Sequence, residues 1–459
     1  MSGIAAGVPP GQLEDTIVAL ATPAGRGATA LIRLSGCGAL VIAAAHVKPW
    51  SAEPRKARLC TVYDGGHALD QALVTIFPGP DSFTGDDVVE ISTHGGVLVP
   101  ASIIAALISS GARQALPGEF TRRAVMNGKM DLIQAEAIGD LIEARSYAMH
   151  RTALDQLEGG LSRRLLSLRE ELIGLEALIA YDIDFPEEDD GPIPRDRIDR
   201  AIQSLKRALD KLLATSTAGE LVREGALVVI AGAPNVGKSS LFNALLGKSR
   251  AIVTEIPGTT RDAIEAVVDT GSWPLRLVDT AGLRATDDRV ERLGIEVSER
   301  YLSAADVILA CADSDAGVEK TAAVVAAGST SPVVKIRTKS DLVSNGTKIN
   351  VPAGTVVLSA ETADGLQELI TAIDNILEHR VGEIEFDSPM LTRARHRSAV
   401  EHARSELAQF ERAWREEKLP ATVASVHLRT AVGALEELVG TVDVEDVFDR
   451  VFNSFCVGK

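Results

Sequence analysis

The nine residues Gly232-Ala-Pro-Asn-Val-Gly-Lys-Ser-Ser240 constrain this chain more than any other stretch. They follow the apolar run 227–231 and precede Leu241-Phe-Asn-Ala-Leu-Leu246, which opens a helical pattern. Strand, glycine-bearing turn and helix, in that order, is the context a phosphate-binding loop needs. Gly232 and Gly237 let the backbone curl, so that several N–H groups point inward at an anion. The partial positive charge of a helix N-terminus adds to the attraction. In such a loop Lys238 reaches the β- and γ-phosphates and Ser239 holds Mg2+.

Four more signals come in order. Residues 254–262 read Thr-Glu-Ile-Pro-Gly-Thr-Thr-Arg-Asp, and the short run 275–278 feeds Asp279-Thr-Ala-Gly282. Thr338-Lys-Ser-Asp341 follows the apolar run 333–336, and Ser359-Ala360 follows 356–358. Each sits at the end of an apolar run, where a doubly wound sheet presents its ligand-binding edge. The Asp341 carboxylate can accept two hydrogen bonds from the guanine edge, and Lys339 can lie over the base. The usual first residue of that element is asparagine; Thr338 keeps one polar contact, which predicts somewhat weaker anchoring.

Hydrolysis poses a separate question. Asp279 should hold Mg2+ through water, and the Gly282 N–H should face the γ-phosphate. Ras-type enzymes place a water-orienting glutamine after that glycine, whereas this chain has Leu283. Glu291 and Arg284 are the candidates to replace it, and a carboxylate favours Glu291. Charge at the β–γ bridge can be neutralised by Arg261. The alternative is a monovalent cation held by the Asn235 side chain and backbone carbonyls of 254–259.

At 459 residues, with 46% apolar content, two to four domains with real cores are expected. The net charge of −17 disfavours a polybasic nucleic-acid coat but leaves room for a local basic face. Cys37, Cys60, Cys311 and Cys456 are widely spaced, which excludes a Cys-x-x-Cys zinc site and fits a reducing cytoplasm. No apolar run of about 18 residues and no secretory signal are visible.

Residues 15–22, 28–34, 71–77 and 87–93 read as strands and 97–110 as a helix, an α+β unit. Three glycine-bearing loops there, Ser82-Phe-Thr-Gly85, His94-Gly-Gly96 and Pro117-Gly-Glu-Phe-Thr121, are candidates to line a pocket. From Asn127 the pattern turns helical. Leu154, Leu157, Leu161, Leu165, Leu168, Leu172, Leu175 and Ile179 form one stripe of a single long helix. Ile198, Ile202, Leu205 and Leu209 start a second stripe. Val400, Ala403, Leu407, Phe410 and Trp414 form another. Neither helical block can bury its stripe alone, which predicts one bundle interrupted by an inserted nucleotide domain. The expected limits are 1–126 for the α+β domain, 127–222 and 385–459 for the two parts of the bundle, and 223–384 for the G domain.

The elements Gly-Ala-Pro-Asn-Val-Gly-Lys-Ser-Ser, Pro-Gly-Thr-Thr-Arg-Asp and Asp-Thr-Ala-Gly-Leu-Arg are shared by several GTPases. Ala-Thr-Pro-Ala-Gly-Arg-Gly, Phe-Pro-Gly-Pro-Asp-Ser-Phe-Thr-Gly, Pro-Gly-Glu-Phe-Thr, Asp-Leu-Ile-Gln-Ala-Glu-Ala and the terminal Phe455-Cys-Val-Gly-Lys459 narrow the resemblance. Over essentially its full length the chain resembles the MnmE (TrmE) family of tRNA-modification GTPases. The resemblance implies an N-terminal α+β folate-binding-like domain, a discontinuous helical bundle and an inserted Ras-like P-loop GTPase domain. It implies a homodimer that works with the FAD protein MnmG (GidA) on carbon 5 of the wobble uridine of tRNA. The one-carbon unit comes from 5-formyltetrahydrofolate or another tetrahydrofolate derivative, and hydrolysis depends on potassium.

The resemblance also carries residues over. GTP is contacted by Asn235, Val236, Gly237, Lys238, Ser239 and Ser240. The same role falls to Thr254, Glu255, Ile256, Pro257, Gly258, Thr259 and Thr260, to Asp279, Thr280, Ala281 and Gly282, and to Thr338, Lys339, Asp341, Ser359 and Ala360. Ser239 and Thr260 bind Mg2+; Asn235, Thr254, Ile256 and Thr259 hold K+; Glu291 positions the water. Arg33, Glu90, Lys129 and Lys459 match the folate contacts, and Cys456 matches a cysteine needed for modification. A ribosome-assembly GTPase of the Era class is the competing expectation. Such a protein carries an RNA-binding domain after the nucleotide domain in place of a folate-like domain before it.

Overall fold

The computed structural model describes residues 15–50, 53–184, 195–248, 264–270, 273–279, 300–342, 353–382, 388–416 and 421–440, with 455 and 458. The chain divides into two compact units, Met1–Gly139 with Glu436–Lys459, and Asp140–Leu435.

The first unit is built on a seven-stranded sheet. Its elements are β1 (Ile17–Leu20), β2 (Thr29–Ser35), α1 (Ala39–His46), β3 (Val47–Lys48), β4 (Arg58–Asp64), β5 (His67–Phe77), β6 (Val88–His94), α2 (Leu98–Ser109), β7 (Arg113–Gln114) and α3 (Glu119–Met126). A further helix, α4, covers Leu132–Glu143. The strand order is β3-β4-β5-β6-β2-β1-β7. Strict alternation sets the two faces. Ile32, Leu34, Val74, Ile76, Val89 and Ile91 pack under Ile42, Ala43, Ile103 and Leu107 of α1 and α2. Each of the Val, Leu and Ile side chains stabilises the fold by about 1.5–3 kcal/mol. The opposite face carries the cross-strand pair Arg33 and Glu90, which are direct register partners.

The expected strands and the helix over 97–110 are present within a few residues. β4 was not expected; Cys60 and Val62 are buried while Leu59 stays exposed, so its apolar half is thin. Gly65 and Gly66, at φ +51° and +97°, turn β4 into β5, the geometry of a two-residue hairpin.

Residues 117–121 do not line the cavity around Glu90 and Lys129, although the Phe120 ring lies 5.8 Å from the Arg33 guanidinium. Glu119 starts α3 and is 2% exposed. Arg113 donates to both its oxygens, at 2.6 and 2.9 Å, and Leu116 N at 2.8 Å. Arg123, 1% exposed, donates to it at 3.2 Å and to Asp15 O at 2.7 Å. These contacts tie α3 to the edge strand β7 and to the segment leading into β1.

In the second unit the helices are α5 (Tyr147–Leu157), α6 (Gly160–Asp184), α7 (Arg195–Ala214) and α8 (Ser216–Glu224). The single long helix expected over 154–179 is a correction. Gly159, at φ +82°, breaks the run into α5 and α6, and Leu154 is exposed. Leu161, Leu165, Leu168, Leu172, Leu175 and Ile179 are buried along α6. Periodicity could not see the break, because Leu157 and Leu161 keep a spacing of four across it.

The nucleotide-type sheet follows: β8 (Ala226–Gly232), α9 (Lys238–Lys248), β9 (Ile264–Asp269), β10 (Pro274–Asp279), β11 (Val307–Ala312), α10 (Asp315–Gly328), β12 (Val333–Arg337), β13 (Thr355–Val357) and α11 (Leu366–Val381). The order is β13-β12-β11-β8-β10-β9, all parallel except β9. This is a Ras-like arrangement. β8 and β11 lie inside the sheet with helices on both faces, which is why they read as unbroken apolar runs. Asp269, at the end of β9, accepts the first N–H of α5, from Tyr147, at 3.0 Å.

Two more helices, α12 (Ala394–Glu416) and α13 (Ala421–Val439), come after the sheet. α12 packs on α7 and α8. Val400, Ala403, Leu407 and Phe410 are buried, and Trp414 stacks on Phe410 at 6.1 Å between centroids. Lys206 and Gln203 of α7 both bond Glu411, at 2.5 and 2.7 Å. Among the described residues no helix is long and apolar enough to cross a membrane.

Candidate functional site

The strand order reverses direction around β8. Chain leaving β8 goes to β9 and β10 on one side, then to β11 on the other. An open parallel sheet forms its ligand crevice at such a reversal, beyond the carboxyl ends of the strands. The loop 232–237 lies there.

Backbone geometry makes that loop. Gly232 has φ +154°, and a Cβ on it would lie 2.3 Å from Cys311 O on the neighbouring strand. Gly237 sits at φ +98° and Asn235 at +62°. Lys238 is 6% exposed, and its ammonium donates to Ala233 O at 2.8 Å, so the charge is held inside the loop. Ser239 Oγ is 2.7 Å from Asp279 Oδ2, and Asp279 is 2% exposed at the end of β10. A hydroxyl beside a carboxylate is a hard-oxygen pair of the kind Mg2+ takes, so these residues fit that ion. A cleft of about 950 Å³ opens over Asn235, Lys238 and Ser239 and extends to Asp313, Lys320 and Lys339. Beneath the loop, burial pushes the Cys311 thiol up to about 12, against a smaller lowering from Lys238.

The second wall comes from the segments after β12 and β13. Thr338 is 2% exposed, with its hydroxyl 2.5 Å from Val236 O and 3.0 Å from Ala312 O. A hydroxyl has one proton, so it donates to one carbonyl at a time. Thr338 therefore ties the base-side loop to the phosphate loop through one donated hydrogen bond. Lys339, at φ +57°, donates to Asn235 O at 2.7 Å. Ser359 Oγ is 2.6 Å from Asp341 Oδ1, and Glu361 N and Thr362 N both donate to Ser359 Oγ at 3.2 Å. Ala360 follows in the same turn. Thr338→Val keeps the shape and removes the proton. GTP affinity is expected to fall about tenfold, the loss of one buried hydrogen bond, by isothermal titration. An unchanged affinity would show that the tether does not shape the site.

Thr254, Glu255, Ile256, Pro257, Gly258, Thr259, Thr260 and Arg261 lie outside the described residues. So do Thr280, Ala281, Gly282, Leu283, Arg284, Glu291, Cys456 and Lys459. The structure brings together Asn235, Lys238, Ser239, Asp279, Thr338 and Lys339, with Asp341 and Ser359 beside them.

Two family profiles match the chain. One, described as the MnmE helical domain, matches residues 132–456. The other, described as the GTP-binding protein TrmE N-terminus, matches residues 16–129. A tRNA modification GTPase MnmE of Moorella thermoacetica is 41% identical over 98% of this chain and all of its own length. The chain belongs to the MnmE family of tRNA modification GTPases. The MnmE protein of Aquifex aeolicus is 37% identical over 97% of this chain and all of its own. That of Neisseria meningitidis serogroup C is 41% identical over 97% and 99%. The solved G domain of the T. maritima FeoB iron transporter covers 33% of this chain at 27% identity, with a TM-score of 0.25. At that score it carries no argument about the fold, which rests on the strand order above.

The first unit holds a second pocket, of about 430 Å³. Glu90 and Lys129 line it with Phe77, Ser82 and Phe83. Arg33 stands beside Glu90, donating to its Oε1 at 2.8 and 3.0 Å, with its guanidinium 5.1 Å from the Phe83 ring centre. Lys129 Nζ donates to Pro80 O at 2.8 Å. Of the three glycine-bearing loops, only 82–85 reaches this pocket. His94 ends β6, exposed, with Nδ1 2.8 Å from Asp70 Oδ1. Phe455 and Gly458 also pack on this unit. Phe455 packs with Val125, Leu132 and Ala135. Gly458, at φ +102°, is so close to β1 that a Cβ would meet Leu20 O at 2.3 Å.

Sequence reading missed Asn127 and Arg55. Asn127 donates to Thr84 O at 2.7 Å and Asp86 Oδ1 at 3.2 Å, fixing the pocket loop. Arg55 lines the pocket from the turn Pro54-Arg55, where the proline is the signal that could have found it. No spacing signal marks Asn127.

Proposed function

We propose that this chain is the GTP-hydrolysing subunit of a tRNA wobble-uridine modification complex. It works with the FAD protein MnmG to add an aminomethyl or carboxymethylaminomethyl group at C5 of uridine 34. The observation that carries the reading is the pocket of the first unit, where Glu90 and Lys129 face an aromatic wall and Arg33 backs the carboxylate. Such a lining suits a flat donor-bearing ring with an anionic tail. A bound tetrahydrofolate supplies the one-carbon unit. Gly458, seated on β1, supports Lys459 as a further contact and Cys456 as part of the modification chemistry.

At the other site, 235–240, 254–260, 279–282, 338–341 and 359–360 take GTP. Lys238 and the loop N–H groups bind its phosphates, and Asp341 reads the guanine edge. Ser239 and Thr260 hold Mg2+, which neutralises phosphate charge. Asn235, Thr254, Ile256 and Thr259 hold K+, with Arg261 as the competing source of positive charge, and Glu291 orients the attacking water. The domain limits are 1–126, 127–222, 223–384 and 385–459. The protein acts in the cytoplasm as a homodimer paired through its first domain.

The decisive experiment is nucleoside analysis of bulk tRNA from cells lacking this protein. The C5-modified wobble uridines should disappear and return with the intact gene; an unchanged profile would sink the reading and favour an Era-class switch. Hydrolysis indifferent to K+ or to Glu291→Ala would remove the cation cage or the water-positioning role separately.

A further inference from the structure

The pocket of the first unit grades from dry to charged. Ser82 and Val88 are buried at its floor, and Phe77, Phe83 and Glu90 are half-buried. Arg55, Asp81 and Lys129 stand exposed at its mouth. Arg55 has φ +58°, a left-handed conformation rare for a residue with a side chain. Such conformations persist only where the surroundings impose them, and they cluster at ligand clamps. Here the surroundings are specific. Arg55 N donates to Ile76 O at 2.8 Å. Its guanidinium donates to Asp81 O and lies 5.9 Å from the Phe77 ring centre. Lys129 reaches the adjacent carbonyl of the same loop, Pro80 O. Two cations thus converge on neighbouring carbonyls, and among the described residues neither is ion-paired. The mouth thus carries two cations against the single carboxylate of Asp81, a net positive spot in a chain of net charge −17.

We propose that Arg55, together with Lys129, is the receptor for the glutamyl tail of the folate, so that the pocket selects carriers bearing more than one glutamate. This rests on the folate reading above. Each added γ-linked glutamate brings one more ionised carboxylate. A guanidinium offers five N–H donors in a planar fork and an ammonium three, so both keep donors after bonding the loop. Neighbouring cations can take successive carboxylates as the tail leaves the mouth. The left-handed backbone at Arg55 turns its side chain onto Phe77 and the loop.

The test is isothermal titration of the full-length protein with 5-formyltetrahydrofolate carrying one or three glutamates. The triglutamate form should bind about tenfold more tightly, the size of two modest charge contacts. In Arg55→Gln the two forms should bind within about twofold of each other, the residue of a single remaining cation. Arg55→Gly, which accepts the backbone conformation without strain, should lose the preference equally. Arg55→Lys should keep part of it. Normal thermal transitions in these variants exclude misfolding as the cause. Equal binding of both forms by the unaltered protein, or a preference intact in Arg55→Gln, would overturn the proposal alone. No binding of either form would overturn the folate reading with it. Weakened tRNA binding in Arg55→Gln, with the preference intact, would also overturn it and assign Arg55 to RNA phosphates.

Discussion

Replacing Asp341 by asparagine is expected to lower GTP affinity about a thousandfold, the loss of two charge-assisted hydrogen bonds. On the proposed reading the carboxylate accepts from both guanine donors, N1–H and the 2-amino group. An amide presents one acceptor and one donor, so its N–H meets the 2-amino group head-on. Xanthine carries a carbonyl at that position, and the mismatch becomes a match. The variant should therefore bind and hydrolyse XTP where the unaltered protein does not. Ser359 Oγ already holds Asp341 Oδ1 at 2.6 Å, which orients the acceptor before the base arrives. Titration with both nucleotides checks this. A variant that still prefers GTP would mean that Asp341 does not read the base.

The second large effect concerns stability. Burial pushes the Glu119 carboxyl up, but hydrogen bonds from Arg113 and Leu116 N, with the charges of Arg113 and Arg123, outweigh it. Its net shift is below the ordinary 4.5. Between the folded and ordinary values the unfolded chain binds more protons than the folded one, so stability rises with pH. The contribution is complete at neutral pH and is lost as pH falls below 4.5 toward the folded value. Glu119→Gln removes the buried counter-charge from Arg123, 1% exposed, and leaves it the half-buried Asp86 carboxylate at 3.8 Å. The expected loss is about 3–5 kcal/mol, the usual consequence of breaking a buried pair on one side. Hydrogen exchange at α3 and β1 of the full chain should rise at pH 7, and the variant should lose part of its acid sensitivity. Protection within about 0.5 kcal/mol of the original, the range of an ordinary surface change, would show that the network is dispensable.

Much of this was legible because it follows from periodicity and turn chemistry. The run at 227–231 is a strand because a central parallel strand is buried on both faces; 333–336 alternates instead, with Val334 and Ile336 buried and Lys335 half-buried. The loop 232–237 needs glycine where it passes Cys311 O. What stayed hidden depends on tertiary contact. β4 has only Cys60 and Val62 to show for itself, and Gly159 divides a stripe whose spacing continues unbroken. The Thr338 contact with Val236 O joins residues 102 positions apart, which no local pattern encodes. Glu119 looked like a pocket residue, although its charge is spent on Arg113 and Arg123.

The edge strand β9 is fixed at both margins. Six residues pair with β10, and its last side chain, Asp269, grips the leading amide of α5. A slip of one residue would invert every side chain along it and drag that carboxylate about 3.3 Å along the strand axis. The strand therefore cannot ratchet past its neighbour without unseating the helix. Single-residue insertions or deletions within 264–269 should be far less tolerated there than in an ordinary boundary strand.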